Sequence, residues 1–377
     1  MRTKNFWLLL IITALGSNFT KSIAQIDSVA LPHEPTVAPS LRTRNTLILP
    51  LAARSIETDW SFGVAGSFTF RFSPKDTVTR TSNSQAIVLY SLRRQFIAAI
   101  NGTTYFPGER YILNHQISYS YFPDKFWGLG KNAPDQNVEN YTFRQYYVYG
   151  HLQRKLKPGI FAGLLYEYQR VLAINYEPGG LFDQQQVPGR DPYDISGAGL
   201  SLTYDTRNNA FAPDRGAFAQ VFFNHFMPAI GSSFRYTDYV MDLRRFLLVR
   251  RQQVLALQLY GQFNAGDVPL RSLATLGGSN NMRGFYDGRY RSKCQLAFQA
   301  EYRFPLFWRL GAVGFAGIGN NGDRLGDLNF RQLKYSYGGG LRVALNRKER
   351  LNLRLDYGFG MGQSLSQGLY FQLGEAF

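Results

Sequence analysis

The sequence predicts an all-β fold: a 16-stranded antiparallel transmembrane β-barrel with an inward-folded long loop. Three observations lead there. Short segments alternate apolar and polar residues with a period of two, the connections between them alternate long and short, and aromatic residues, 15% of the chain, gather at segment ends. A soluble sandwich shares the period. The connection asymmetry and a polar inner face belong to an outer-membrane barrel, which must close because lipid offers a free strand edge no partner.

Composition removes other classes. The 377 residues carry 42 Lys+Arg against 26 Asp+Glu, a formal net charge of +16, yet only 18% are charged and 45% are hydrophobic. Such an apolar fraction excludes a disordered chain, and the single cysteine, Cys294, excludes an internal disulfide scaffold. The clean apolar run over 6–16 falls short of the ~20 residues a spanning helix needs.

In chain order, Arg2 and Lys4, the apolar stretch after them and Ser22-Ile23-Ala24 follow the pattern of a secretory signal peptide over 1–24, cut before Gln25. Residues 25–43, with Pro32, Pro35 and Pro39, are expected to be a short periplasmic leader, and 44–377 the barrel. An exported barrel is expected in the outer membrane of a Gram-negative bacterium. Strands are expected near 44–54, 60–72, 84–94, 96–106, 110–122, 140–154, 160–172, 194–206, 216–227, 234–247, 253–264, 293–304, 310–320, 333–345, 350–361 and 367–377. The alternation is clearest late in the chain. In 351–360, Leu351, Leu353, Leu355, Tyr357 and Phe359 alternate with Asn352, Arg354, Asp356, Gly358 and Gly360. In 295–304, Leu296, Phe298, Tyr302 and Phe304 alternate with Gln295, Gln299, Glu301 and Arg303. One face suits hydrocarbon and the other a wet lumen. The long connections (123–139, 173–193, 265–292, 321–332) are expected outside the cell and the short ones in the periplasm, with 73–83 a longer connection on the periplasmic side.

The longest connection contains Leu276-Gly277-Gly278-Ser279-Asn280-Asn281-Met282-Arg283-Gly284-Phe285-Tyr286, and Glu301-Tyr302-Arg303-Phe304-Pro305 follows it. Its glycines permit positive φ and a tight fold-back. Arg283, always charged, needs a carboxylate wherever it leaves water. Asp205-Thr206-Arg207-Asn208 precedes Pro213 and Gly216, and Pro50 with Glu57-Thr58 marks the first hairpin. Together these stretches resemble the BamA/TamA superfamily of outer-membrane assembly barrels, the bacterial surface antigens, over roughly 44–377. The resemblance implies that the loop tucks into the lumen and that Arg283, Gly284 and Phe285 form a latch with Glu301. It also implies that Gly277 and Gly278 turn the loop, and that Asp205, Arg207, Pro213 and Gly216 build a periplasmic turn. Gly368, Phe371, Leu373 and Phe377 resemble the C-terminal signal by which such barrels are themselves assembled.

Two departures stand out. Gly317 occupies the place of a second acid on strand thirteen, leaving Glu301 to pair alone, with Asp356 as a candidate helper. Residues 25–43 are too short for a POTRA domain, so the resemblance is to a barrel lacking POTRA domains, with substrate delivery left to a partner.

Chemistry is thinly represented. No nucleophile elbow, paired zinc-binding histidines or phosphate loop occurs. His115 and Ser118, three apart, face opposite sides of a strand. No catalytic residue, metal site or cofactor is expected, and the chain is not expected to be an enzyme. Basic residues at strand ends, Arg154, Lys155, Arg245 and Arg250 among them, suit snorkelling toward anionic headgroups. The expected partners are outer-membrane lipids, including lipopolysaccharide, and periplasmic or outer-membrane proteins, not nucleic acid. The resemblance implies assistance in inserting or assembling outer-membrane proteins or lipids. The alternative is a pore-forming or structural barrel subunit without assembly activity.

Overall fold

The structure, a computed structural model, describes residues 44–73, 79–209, 212–346 and 350–377. The signal peptide and leader expected over 1–43 lie outside the described residues. The strands, in chain order, are β1 (Arg44–Ser55), β2 (Asp59–Phe70), β3 (Ser82–Ser91), β4 (Phe96–Tyr105), β5 (Tyr111–Phe126), β6 (Glu139–Lys157), β7 (Ile160–Asn175), β8 (Tyr193–Asp205) and β9 (Gly216–Phe226). There follow β10 (Tyr236–Arg250), β11 (Gln253–Gly266), β12 (Ala274–Leu276), β13 (Tyr290–Ser292), β14 (Cys294–Pro305), β15 (Leu310–Gly322), β16 (Lys334–Asn346), β17 (Leu351–Met361) and β18 (Leu365–Leu373). Sixteen of them close one antiparallel barrel in sequence order, β11 pairing with β14 and β1 with β18. The remaining two, β12 and β13, form a small hairpin inside the longest loop.

Side-chain period drives the closure. On β17, Arg354 and Asp356 are fully buried in the barrel, whereas Leu355 and Tyr357 are 38% and 40% exposed on its outer face. Among the described residues no helix is long and apolar enough to cross a membrane; the strands carry the apolar outer surface.

The structure corrects two expectations. The lumen is not uniformly wet. At the end carrying the long loops, inward-facing Phe122, Phe126, Phe143, Ile195, Phe226 and Tyr236 join Phe182, Leu270 and Leu273 from the loops in one apolar core. This core also explains why β5 overruns its expected end at 122. Pairing continues from Pro123↔Thr142 to Phe126↔Glu139, and it carries Phe126 and Tyr141 to the aromatic cluster.

The second correction concerns the C-terminal residues. The last strand stops at Leu373 rather than running to Phe377. Gly374, at φ +79°, turns the chain inward. The Glu375 carboxylate then accepts from Arg342 Nε and Asn352 Nδ2, both at 2.7 Å. Phe377 packs against Phe246 and Ala256 across the lumen.

The ladders are uneven. Most neighbouring strands pair along nearly their whole length, but β1 meets β18 through the single register pair Arg54↔Phe371. The barrel therefore has one seam, at the junction of its first and last strands.

Candidate functional site

The loop between β11 and β14 folds into the barrel beside this seam. Backbone geometry sends it there. At Gly277 φ is +126°, and a side chain would press into the Tyr286 carbonyl; the Gly278 N–H donates to the Phe285 carbonyl at 3.1 Å. Gly284, at φ +108°, lies directly on β17, where an added Cβ would sit 2.3 Å from the Phe359 carbonyl carbon. Its N–H donates to the Tyr370 hydroxyl of β18 at 2.9 Å. Phe285 packs with Leu276, Met282, Tyr290 and Ala297.

This path drives Arg283 into the wall at 1% exposure. Its Nη2 donates to Glu301 Oε2 on β14 at 2.6 Å, and Nη1 donates to Asp356 on β17. The guanidinium also lies over the Phe315 ring, 3.6 Å from its centroid. Arg303 donates to the other Glu301 oxygen at 2.7 Å, and Arg342 bridges Asp356 to Glu375. Four arginines, Arg354 included, thus neutralise three buried carboxylates. Asp356 fills the role that the sequence left open. At Gly317 a Cβ would stand 3.0 Å from Met282 Sδ, so the missing acid on β15 makes room for the loop while β17 supplies the charge.

The other expected site residues fall elsewhere. Arg207 clamps Asp205 with Nε and Nη2 at 2.9 and 3.0 Å, stacks on Phe218, and shares its turn with buried Pro213 and with Gly216 at φ +106°. Gly368 faces inward, and its pairing places Phe371 outward against Trp60 across the seam. Leu373 pairs with Leu353. Phe377, expected to close the strand signal, is inside the lumen instead.

Sequence reasoning missed the loop's remaining anchors. Arg289 donates to Asp135 and to the Ala133 carbonyl, and Arg291 reaches Asp124 at 3.3 Å. The Asp287 N–H donates to Glu57 Oε1 in the β1–β2 turn at 2.8 Å. The partners lie more than 150 residues apart in sequence, so no local pattern signals them. The loop thus grips both sides of the seam, Tyr370 on β18 and Glu57 next to β1.

Nucleophilic chemistry gains little. His151 Nε2 lies 2.6 Å from Ser201 Oγ, but no acid hydrogen-bonds the imidazole among the described residues. Nor does any group of His, Cys, Asp and Glu there suit a metal ion.

Comparison with known proteins decides the family. The model of the Omp85 superfamily domain matches residues 91–377. The chain belongs to the Omp85 superfamily. Its barrel is similar in fold to BamA from Haemophilus ducreyi lacking POTRA domains 1-3, at 12% identity over 88% of this chain and 70% of that one, TM-score 0.58. It is also similar to CdiB from Acinetobacter baumannii (13% identity, 87% of this chain and 59% of that one, TM-score 0.57) and to CdiB from Escherichia coli (12%, 91% and 63%, TM-score 0.57). This Omp85 chain therefore spans less than two thirds of either CdiB chain. No curated protein matches the sequence. Membership in the superfamily places the barrel in the outer membrane of Gram-negative bacteria.

Two predictions follow the burial of these charges. Removing Arg283 strips Glu301 and Asp356 of a desolvated partner, a loss on the scale of about 3–5 kcal/mol for broken buried pairs, not the ~1 kcal/mol of solvated ones. Arg303 and Arg342 still neutralise both acids, so Arg283→Ala should cost about 3 kcal/mol, the low end of that range. Arg283→Lys should recover only part, since one ammonium cannot fork between two acids. Denaturant unfolding of the refolded barrel measures this; a loss near ~1 kcal/mol would mean that water reaches the cluster.

The Glu57 carboxyl lies in a turn outside the strands at 2% exposure. Burial first, and then the Asp287 charge, push it up from 4.5 to about 7. Between those values the folded barrel holds a proton that the unfolded chain has released, so stability falls as pH rises through this window and levels off above it. Melting temperature should drop from pH 4.5 to 7, and Glu57→Gln should flatten the slope. An equally steep slope in the variant would assign it to another group.

Proposed function

We propose that this barrel assists the insertion or assembly of outer-membrane proteins or lipids, with β1 and β18 parting to admit the inserting chain. One observation carries the reading: the barrel is closed at β1–β18 by the single register pair Arg54↔Phe371, whereas its other junctions are laddered. A strand edge exposed in lipid must find a partner, so a barrel that opens there presents its unpaired backbone groups to an incoming strand. The loop grips Tyr370 on one side of the seam and Glu57 on the other, which makes the Arg283 cluster a latch over the opening. No covalent chemistry is required. The described residues form the barrel alone, and on this reading delivery of the inserting chain falls to segments or partners outside it.

The alternative, a pore or structural barrel, needs an open or inert lumen. The apolar core under the long loops counts against conduction, which reduces this alternative to a purely structural role.

A reversible lock distinguishes the two. Arg54→Cys with Phe371→Cys sets a disulfide across the seam, and Val88→Cys with Ala98→Cys, partners on β3 and β4, sets a control within a full ladder. In proteoliposomes, oxidation should stop the barrel from accelerating insertion of a reporter outer-membrane barrel only in the seam variant, and reduction should restore it. Undiminished insertion through the oxidised seam, or no acceleration by the wild type, would overturn the reading.

A further inference from the structure

At the end carrying the short turns, each described carboxylate is already claimed. Arg80 holds Glu109 at 2.8 Å, Arg207 holds Asp205 at 2.9 Å, Arg350 holds Asp214 at 2.8 Å and Arg342 holds Glu375 at 2.7 Å. A second set of cations has no carboxylate partner among the described residues: Arg154 and Lys157 at the end of β6, and Arg245, Arg250 and Arg251 around the β10–β11 turn. All five are exposed. They lie on the wall centred on β8 and β9, half a barrel away from the β1–β18 seam.

Position along the strands identifies the occupant. Arg154 follows Leu152 and precedes Leu156 on the outer face of β6, and Arg245 precedes Leu247 on the outer face of β10; these leucines are 41%, 56% and 37% exposed. Arg154 pairs with Ala162, which pairs with Leu202, two residues before the outward Tyr204. Tyr204 pairs with Ala219, which pairs with Leu243, two residues before Arg245. The two guanidinium groups therefore straddle the level of Tyr204, within columns of lipid-facing side chains that continue through Leu156 and Leu247 toward the turns. An acidic protein approaching from below would meet Lys157, Arg250 and Arg251 but not these two. A phosphodiester on a lipid meets all five, because long basic side chains rest their stems on hydrocarbon and extend their charge to the headgroups.

We infer that the turn-end edge of β6–β11 binds the headgroups of anionic phospholipid, phosphatidylglycerol being the simplest, in the adjacent leaflet. The barrel would then be held at least on the wall opposite its seam. This inference is independent of the assembly reading, since it holds for a static barrel too.

The test places a fluorophore at Leu156→Cys, Cys294 being buried, in the full chain reconstituted in phosphatidylcholine vesicles. Quenching by brominated phosphatidylglycerol is then compared with quenching by brominated phosphatidylcholine. The anionic lipid should be enriched at the probe, and each removed charge should lower that enrichment roughly fivefold. Arg154→Gln with Arg245→Gln should thus lower the preference roughly 25-fold, Arg154→Lys with Arg245→Lys should keep it, and high salt should weaken it. Heat-modified migration in a denaturing gel confirms that each variant is folded. Equal quenching by the two lipids in the wild type, or a preference undiminished by the glutamine pair, overturns the inference; the first result would leave the edge to an acidic protein.

Discussion

The arrangement near the seam rests on one desolvated ion cluster. A guanidinium at 1% exposure is tolerable only with carboxylates in contact, because unpaired buried charge costs several kcal/mol. Glu301 and Asp356 meet that demand for Arg283, and Arg303, Arg342 and Arg354 keep the acids from repelling one another. The cluster binds β14, β16 and β17 to the loop. Through Arg342 and Glu375 it also reaches the residues after β18. Apolar packing of Leu276, Met282 and Phe285 takes the loop out of solvent, and the cluster lets Arg283 follow without leaving its charge unpaired.

Backbone permissiveness and charge act together here. Gly284 lets the loop lie on β17 with no side chain between them, and only that approach brings Arg283 within reach of both acids. The glycine-rich sequence is therefore a geometric condition for the ion pairs rather than a source of flexibility. Glu57 completes the grip from the other side of the seam, as a buried carboxyl that accepts the Asp287 backbone N–H and is also hydrogen-bonded by the Ser55 side chain.

These contacts give the seam its setting. The first and last strands share little backbone pairing, and the loop spans them by contacts that do not belong to the ladder. Backbone ladders close the rest of the barrel, while loop N–H groups that donate to the side chains of Tyr370 and Glu57 stand over the seam. On the proposed function, that division lets the seam part while the remaining fifteen junctions stay laddered.

By itself the sequence determined the barrel, its strand number and the face each strand presents, because a period of two is a local property and survives without knowledge of neighbours. It also marked the loop, through the run from Gly277 to Phe285, and the inward Glu301 on β14. Tertiary structure decided whatever depends on partners distant in the chain. Asp356 serves Arg283 because β17 lies across the loop tip, 73 residues away in sequence. Glu57 is buried because the loop descends on it from 230 residues away. The aromatic core, the longer β5 and the inward turn after Leu373 arise from side chains meeting across the lumen. Alternation says which way a residue points, but what it finds there is set by the closure of the barrel.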